Sequence, residues 1–338
     1  MIILGVETSC DDTSAAIVED GLRVRSSVAT NQDEFHAKYG GIVPEIASRQ
    51  HVALLTAAIE DAAARANVRL EDLDGIAVTR GPGLIGSLVV GVASAKALAF
   101  SLHKPLYGVN HLHGHIFAAF LDRDDRPQYP FLTLLVSGGH SQLVAVEGPT
   151  HMHVIGRTKD DAAGEAFDKT ARLLGLPFPG GPEIDRLARE GNPAAIKFPR
   201  HRGEPDSLDM SFSGIKTAVR YFIESDAGGK ASKADVAASF QAAIVDMLMQ
   251  RVKTAFDRGP YTSVVLSGGV AANSALQRAL KEWGTQANVP IFIPPPKYCT
   301  DNAAMIASAA AHQGDAVRVD PLSLSADPNL PFELGVTA

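Results

Sequence analysis

Three histidines fall within five positions in "NHLHGHIFAAF", residues 110–120. Neutral imidazoles ligate divalent metals, so the first question is how many of the three can reach one ion. On a helix, side chains advance ~100° per residue, which puts His111 and His115 on one face and turns His113 away, to solvent or to a neighbouring contact. The zinc-protease pattern H-E-x-x-H uses the same spacing, but it needs a glutamate directly after the first histidine, and Leu112 stands there. Two readings stay open. The pair is half of a metal site, or it is two hydrogen-bonded histidines at the rim of a core, beside the apolar stripe of Leu112, Ile116 and Phe120. A metal needs a third ligand from elsewhere. "PKYCTDNAAMIASAA" (296–310) offers Asp301, and two imidazoles with one carboxylate make an open site that keeps positions for substrate. Thr300 reads as the N-cap of the last long helix, with Asp301 in its first turn, so the helix dipole explains that carboxylate equally well.

A second set of residues suits anions. Glycine turns directly after apolar strands leave backbone N–H groups pointing outward, as phosphates require. Ser137-Gly138-Gly139 and Ser267-Gly268-Gly269 are two such turns, and "ETSCDDT" (7–13) is a polar counterpart. Tight turns use the same residues for structural reasons, but the repetition favours a nucleotide or acyl-phosphate ligand. Neither a Walker P-loop nor an early dinucleotide fingerprint occurs. "FPGGPEIDRLA" (178–188) places two glycines before a helix whose first position is read as Pro182. "DDAAGEAFDKTARLLG" (160–175) reads as a helix capped by Asp161 and stopped by Gly175. Asp168 and Asp185 then either accept hydrogen bonds from ribose hydroxyls or belong to solvated acidic faces.

These residues need elements to hold them. "MIILGVETSCDDTSAAIV" (1–18) and "FLTLLVSGGHSQLVAV" (131–146) share a strand–turn–strand layout, while "SVVLSGGVAANSAL" (263–276) runs from strand to helix. The first two read as equivalent hairpins opening two related lobes, an internal duplication. Helices are expected over 46–66 and after the loop "RGPGLIGSL" (80–88), with a helical insertion near 159–226. "RDDRPQYP" (123–130) is a polar link. The expected division is 1–125 plus 301–325 for one lobe, 126–300 for the other, and 326–338 as a surface tail. The fold class is α/β, two-lobed with a cleft.

With 338 residues, 46% apolar and 20% charged, the chain buries a sizeable core. A net charge of −7 argues against binding nucleic acid over the whole surface, so contact with RNA needs a local basic patch or a partner. Cys10 and Cys299 are too few for a disulfide framework and read as free thiols. The N-terminus lacks signal-peptide features, and Leu84–Phe100, broken by glycines, serines and Lys96, reads as a buried helix rather than a membrane span. A cytoplasmic protein without membrane attachment is expected.

Together the strings resemble one family. "GVETSCDDTSAAIV", "GGIVPEIASRQH", "GPGLIGSLVVG", "VNHLHGHIFAAF", "LLVSGGHSQL", "DAAGEAFDKTARLLGLPFPGGPEIDRLA", "SFSGIKTAV", "VVLSGGVAANSAL" and "YCTDNAAMIA" run in the order found in the tRNA N6-adenosine threonylcarbamoyltransferases. The resemblance spans residue 2 to about residue 312. It implies the actin-like ATPase fold of sugar kinases and heat-shock chaperones. It implies transfer of threonylcarbamoyl from threonylcarbamoyl-AMP to the N6 amine of the adenosine 3′ to the anticodon, position 37, in tRNAs reading ANN codons, with release of AMP.

By position, His111, His115 and Asp301 match the family's metal ligands, for one divalent ion, iron or else zinc. Leu135, Val136, Ser137, Gly138 and Gly139 match the loop at the phosphate and carbamoyl end. Asp168, Gly181, Asp185 and Asn273 match the adenylate contacts, and Asp11 matches a carboxylate tied to activity. Leu135 replaces the tyrosine ligand of the archaeal and eukaryotic branch, and "SGGHS" also points to the bacterial branch. Implied partners are tRNA, a catalytically silent paralogue of the TsaB type forming a heterodimer, and a P-loop ATPase of the TsaE type. Lys197, Arg200 and Arg202 are a candidate phosphate contact for the tRNA. The rival readings are a Mg-ATP-dependent kinase or ATPase of the same fold, for which carboxylates rather than imidazoles are expected, a metallopeptidase, and a binding subunit without catalysis.

Overall fold

The computed structural model describes residues 1–200 and 207–333, so Arg202 lies outside the described residues. The strands are β1 (Ile2–Glu7), β2 (Thr13–Glu19), β3 (Arg23–Thr30), β4 (Gly75–Gly81), β5 (Leu106–Asn110), β6 (Phe131–Val136), β7 (Ser141–Val146), β8 (Met152–Arg157), β9 (Val264–Ser267), β10 (Ile291–Phe292) and β11 (Arg318–Val319). The α-helices are α1 (Asp33–Ala37), α2 (Pro44–Ala66), α3 (Ile85–Leu102), α4 (His111–Phe117), α5 (Ala163–Leu173), α6 (Gly180–Ala188), α7 (Ser213–Ile223), α8 (Lys233–Arg258), α9 (Ser274–Ala287) and α10 (Ala303–Gln313). The chain forms two compact units, one of residues 1–127, 148–152 and 294–338, the other of 128–147 and 153–293.

The first unit is built on a six-stranded sheet in the order β11-β5-β4-β1-β2-β3. The β1–β2 hairpin is antiparallel, and β4 pairs in parallel on the other edge of β1. Alternation along β1 sends Leu4 and Val6 into a core with Leu55 and Ile59 of α2 and Val92 and Ala95 of α3. Gly5 faces the opposite way, where an added Cβ would lie 2.1 Å from the Ala303 carbonyl oxygen at the start of α10. α3 is long and apolar enough to cross a membrane by length and composition, but Leu88, Val92, Ala95 and Ala99 face the core. It is not buried all round as expected. A helix lying on a sheet buries one side, and Ile85, Val89 and Phe100 are exposed on the other.

The second unit has a five-stranded sheet in the order β10-β9-β6-β7-β8. Its β6–β7 hairpin is antiparallel and flanked by a parallel strand, β9, which is the local arrangement of β1–β2 and β4. The duplication read from the two hairpin strings is therefore present in the topology. Helices α5 to α9 belong to this unit, with α6 packed against α5 and α8.

Four local expectations change. Asp161 does not cap α5: Ala162 precedes it, and the Ala163 amide donates to Ser141 Oγ at 2.9 Å, while Asp161 pairs with Lys169 and Lys216. α6 begins two residues before Pro182, because Asp168 draws the Gly180 amide into the first turn at 2.8 Å. α10 is capped by Asn302, which accepts from the Met305 amide at 2.9 Å, so neither Thr300 as cap nor Asp301 in the first turn holds. The final segment is not a surface tail through its described length. Phe332 is buried, and the Asp327 amide donates to the Arg80 carbonyl at 2.8 Å.

Candidate functional site

In the first unit, β5 delivers the chain directly into α4. Asn110 ends the strand and caps the helix, accepting from the Leu112 amide at 2.9 Å. This start fixes the phase of the three histidines. His113 turns away from the other two into the core. Its Nε2–H donates to the Phe332 carbonyl at 2.7 Å, and its Nδ1 accepts from Gln313 at 3.0 Å. Burial, only partly opposed by those bonds, lowers its pKa to about 4, so it stays neutral.

His111 and His115 converge on Asp301. Asp301 Oδ1 lies 3.5 Å from His111 Nε2 and 3.3 Å from His115 Nε2, and the two rings meet edge to face at 4.7 Å. Two ligand atoms each ~2.1 Å from a tetrahedral metal stand ~3.4 Å apart, so these spacings suit a shared divalent cation. His115 is fully buried, yet neither ring nitrogen makes a properly formed hydrogen bond. Such an orphan is expected of a ligand and not of a core histidine. Because Asn302 does the capping, helix-end stabilisation no longer accounts for Asp301. Burial pushes the His111 pKa down, but Asp301 and Glu7 outweigh it and raise it to about 9. For His115 burial prevails, and its pKa is lowered.

The β1–β2 turn adds carboxylates. Asp12, missed as a site residue by sequence reasoning, is pushed up to about 8, first by burial and then by Asp301 and Asp11. A divalent cation nearby would offset that repulsion. Asp11 sits in the same turn, and its charge also helps raise Asp33 after burial. Two of the quoted motifs hold this turn. His51 accepts from Thr13 Oγ1 at 2.8 Å and donates to the Cys10 carbonyl at 3.0 Å. The Leu84 amide donates to the Ser9 carbonyl at 2.8 Å, and Gly91 lets α3 approach Thr8, where a Cβ would lie 2.4 Å from Oγ1. Both cysteines are free thiols.

The second unit gathers the remaining predicted residues along one chain of contacts. Leu135 and Val136 are buried strand residues, so only their backbone is available, while Gly138 and Gly139 are exposed at the turn tip. A Cβ on either glycine, or on Gly181 or Gly269, would meet nothing within 4 Å. The Gly164 amide of α5 donates to the Ser137 carbonyl at 3.2 Å, tying the turn to the helix start. Gly268, at φ +87°, packs on the Val136 carbonyl and brings the second glycine turn alongside the first. Asp168 binds the start of α6 through Gly180, and its pKa is raised by burial against those amide donors. Asp185 accepts from Ser274 Oγ at 2.8 Å and pairs with Arg189 at 2.9 Å, while Asn273 caps α9 and donates to Gln241 at 2.7 Å. Each of these glycines faces open space, and backbone amides at a glycine turn or a helix start suit an anionic ligand. Arg200 is paired with Asp246 at 2.6 Å, and Lys197 is exposed.

The fold places the chain among actin-like ATPase-fold proteins. It superposes on full-length HypF in its phosphate- and nucleotide-bound form with a TM-score of 0.62 at 14% identity, over 93% of this chain and 56% of that one. It superposes on component A of the (R)-2-hydroxyglutaryl-CoA dehydratase of Acidaminococcus fermentans at 0.54 and 16%, over 92% of this chain and 98% of that one. Sequence is more specific. The profile of the family described as TsaD, tRNA N6-adenosine threonylcarbamoyltransferase, matches residues 23–308. The protein of that name from Moorella thermoacetica is 52% identical, over 98% of this chain and 97% of its own length. Its counterpart from Dictyoglomus turgidum is 49% identical, over 98% of each. The chain belongs to the tRNA N6-adenosine threonylcarbamoyltransferase family and is a transferase.

Proposed function

We propose that this transferase moves the threonylcarbamoyl group from threonylcarbamoyl-AMP to the N6 amine of adenosine 37 in tRNAs reading ANN codons. The amine nitrogen forms a bond to the carbamoyl carbon, the bond from that carbon to the phosphate oxygen breaks, and AMP leaves. The donor is already an activated mixed anhydride, so it needs orientation and charge stabilisation rather than a protein nucleophile. The observation that carries the reading is the convergence of His111, His115 and Asp301 around an orphaned imidazole, in a chain of this family. These residues would hold one divalent ion, iron or zinc, which supplies a Lewis acid and a template for anionic oxygens.

The turn from Leu135 to Gly139 offers its backbone to the phosphate, and Asp168, Gly181, Asp185 and Asn273 surround the adenylate. Asp11 orients the attacking amine or receives its proton. The partners are tRNA, a silent paralogue in a heterodimer and a P-loop ATPase, and the setting is the cytoplasm. The Leu112 side chain follows His111 where a zinc peptidase carries its base, which disfavours peptide hydrolysis.

The test is transfer of labelled threonylcarbamoyl from its adenylate to an unmodified ANN-decoding transcript, with the partner proteins present. Wild-type protein is expected to label the transcript and metal-stripped protein is not, with recovery on adding back metal. No labelling by the loaded protein would refute the reading.

A further inference from the structure

Glu7 ends β1 and is completely buried, the one charged residue of an otherwise apolar strand. A buried carboxylate persists where donors surround it, and Glu7 has three. Thr79 Oγ1 donates to Oε2 at 2.7 Å, the Ser9 amide donates to Oε1, and His111 Nδ1 lies 3.0 Å from Oε2. An ionised carboxylate only accepts, so the proton in this last contact sits on Nδ1. Ser9 Oγ, 3.1 Å from the same nitrogen, is a second acceptor on that side of the ring. The opposite nitrogen, Nε2, faces Asp301 at 3.5 Å.

We infer that Glu7 is a positioning residue for the candidate metal centre, fixing the tautomer and ring orientation of His111 so that Nε2 faces the ion. The inference rests on the metal-centre reading above. A carboxylate on the far nitrogen of a ligating histidine also raises its basicity, and removing such a partner weakens metal binding about 10–100-fold. His115 has no comparable hold. Among the described residues its Nδ1 is buried and unpartnered, so that side of the ring is held by packing.

The experiment is a calorimetric titration of the metal-stripped full chain with Co²⁺, with the visible spectrum of the complex recorded alongside. Glu7→Gln, which keeps the shape and loses the charge, is expected to bind about 10–100-fold more weakly and with a changed spectrum. Glu7→Asp, one methylene shorter with the same charge, is expected between it and wild type, and circular dichroism confirms that each variant is folded. Co²⁺ binding that is lost in His111→Ala but unchanged, with the same spectrum, in Glu7→Gln would overturn the role of Glu7 and leave the metal centre standing. No Co²⁺ binding by the wild-type chain would overturn both.

Discussion

The β1–β2 turn and the β6–β7 turn occupy equivalent places in two sheets of like topology, yet they carry opposite chemistry. The first holds Asp11 and Asp12 beside a strand that ends in Glu7, within the unit that also contributes His111, His115 and Asp301. Burial first, and then the neighbouring carboxylates, raise the Asp12 pKa to about 8. The second has no carboxylate in its turn, which consists of Ser137, Gly138, Gly139 and His140, with open space above the glycines. Duplication preserved the backbone, while residue content divided the labour, one turn assembling carboxylates and the other exposing amide donors. A hairpin's place in the topology therefore does not fix its chemistry, and its side chains do.

The division breaks most decisively at its histidines. Replacing His111 and His115 together by alanine is expected to lower divalent-metal affinity more than about 100-fold, since loss of ligands exceeds loss of their outer partners. AMP affinity, read by calorimetry in metal-free buffer, should change little. A large fall in AMP affinity there would dissolve the distinction between the two turns.

The third histidine of the same helix sharpens it. His113 has a folded pKa of about 4 against an ordinary 6.5, so the unfolded chain binds more protons between those values. Its contribution is complete above pH ~6.5 and is lost as pH falls toward 4, roughly 3 kcal/mol in all. Urea midpoints at pH 7.5 and 4.5 should show a steeper acid loss for wild type than for His113→Gln, with metal affinity at neutral pH nearly equal. Equal acid slopes would contradict the neutral, doubly bonded state.

On the other turn, Gly139→Val is expected to weaken AMP binding about tenfold or more by occupying ligand space, with an unchanged melting temperature. Gly268→Ala should do the reverse of that pattern in stability. At φ +87° and against the Val136 carbonyl, it is expected to cost about 1–3 kcal/mol, measured by urea unfolding. The smallest effect is at the cap. Asn302→Ala should cost about 1 kcal/mol with metal affinity retained, whereas Asp301→Asn should weaken metal and hardly move stability.

Local periodicity made the hairpins and the i, i+4 histidine pair legible, because both depend on residues near in sequence. Asp301 could be proposed but not chosen, since nothing local separates a ligand from a helix-end carboxylate. The cap formed by Asn302 decides it. The start of α6 was misplaced because proline is favoured at a first position, while a side chain twelve residues upstream, Asp168, captured Gly180. The burial of Leu324 and Phe332 depends on partners more than 200 positions away, such as His113, which donates to the Phe332 carbonyl from 219 positions earlier. Glu7 carried one usable signal, a lone acid closing an apolar strand, and it was absorbed into a polar turn.

The most direct measurement is an anomalous-difference map from crystals grown with zinc. One strong peak ~2.0–2.2 Å from nitrogen atoms of His111 and His115 and a carboxylate oxygen of Asp301 is expected. No peak there, or a peak held instead by Asp11, Asp12 and Asp33, would contradict the assignment of the cation to the histidine pair.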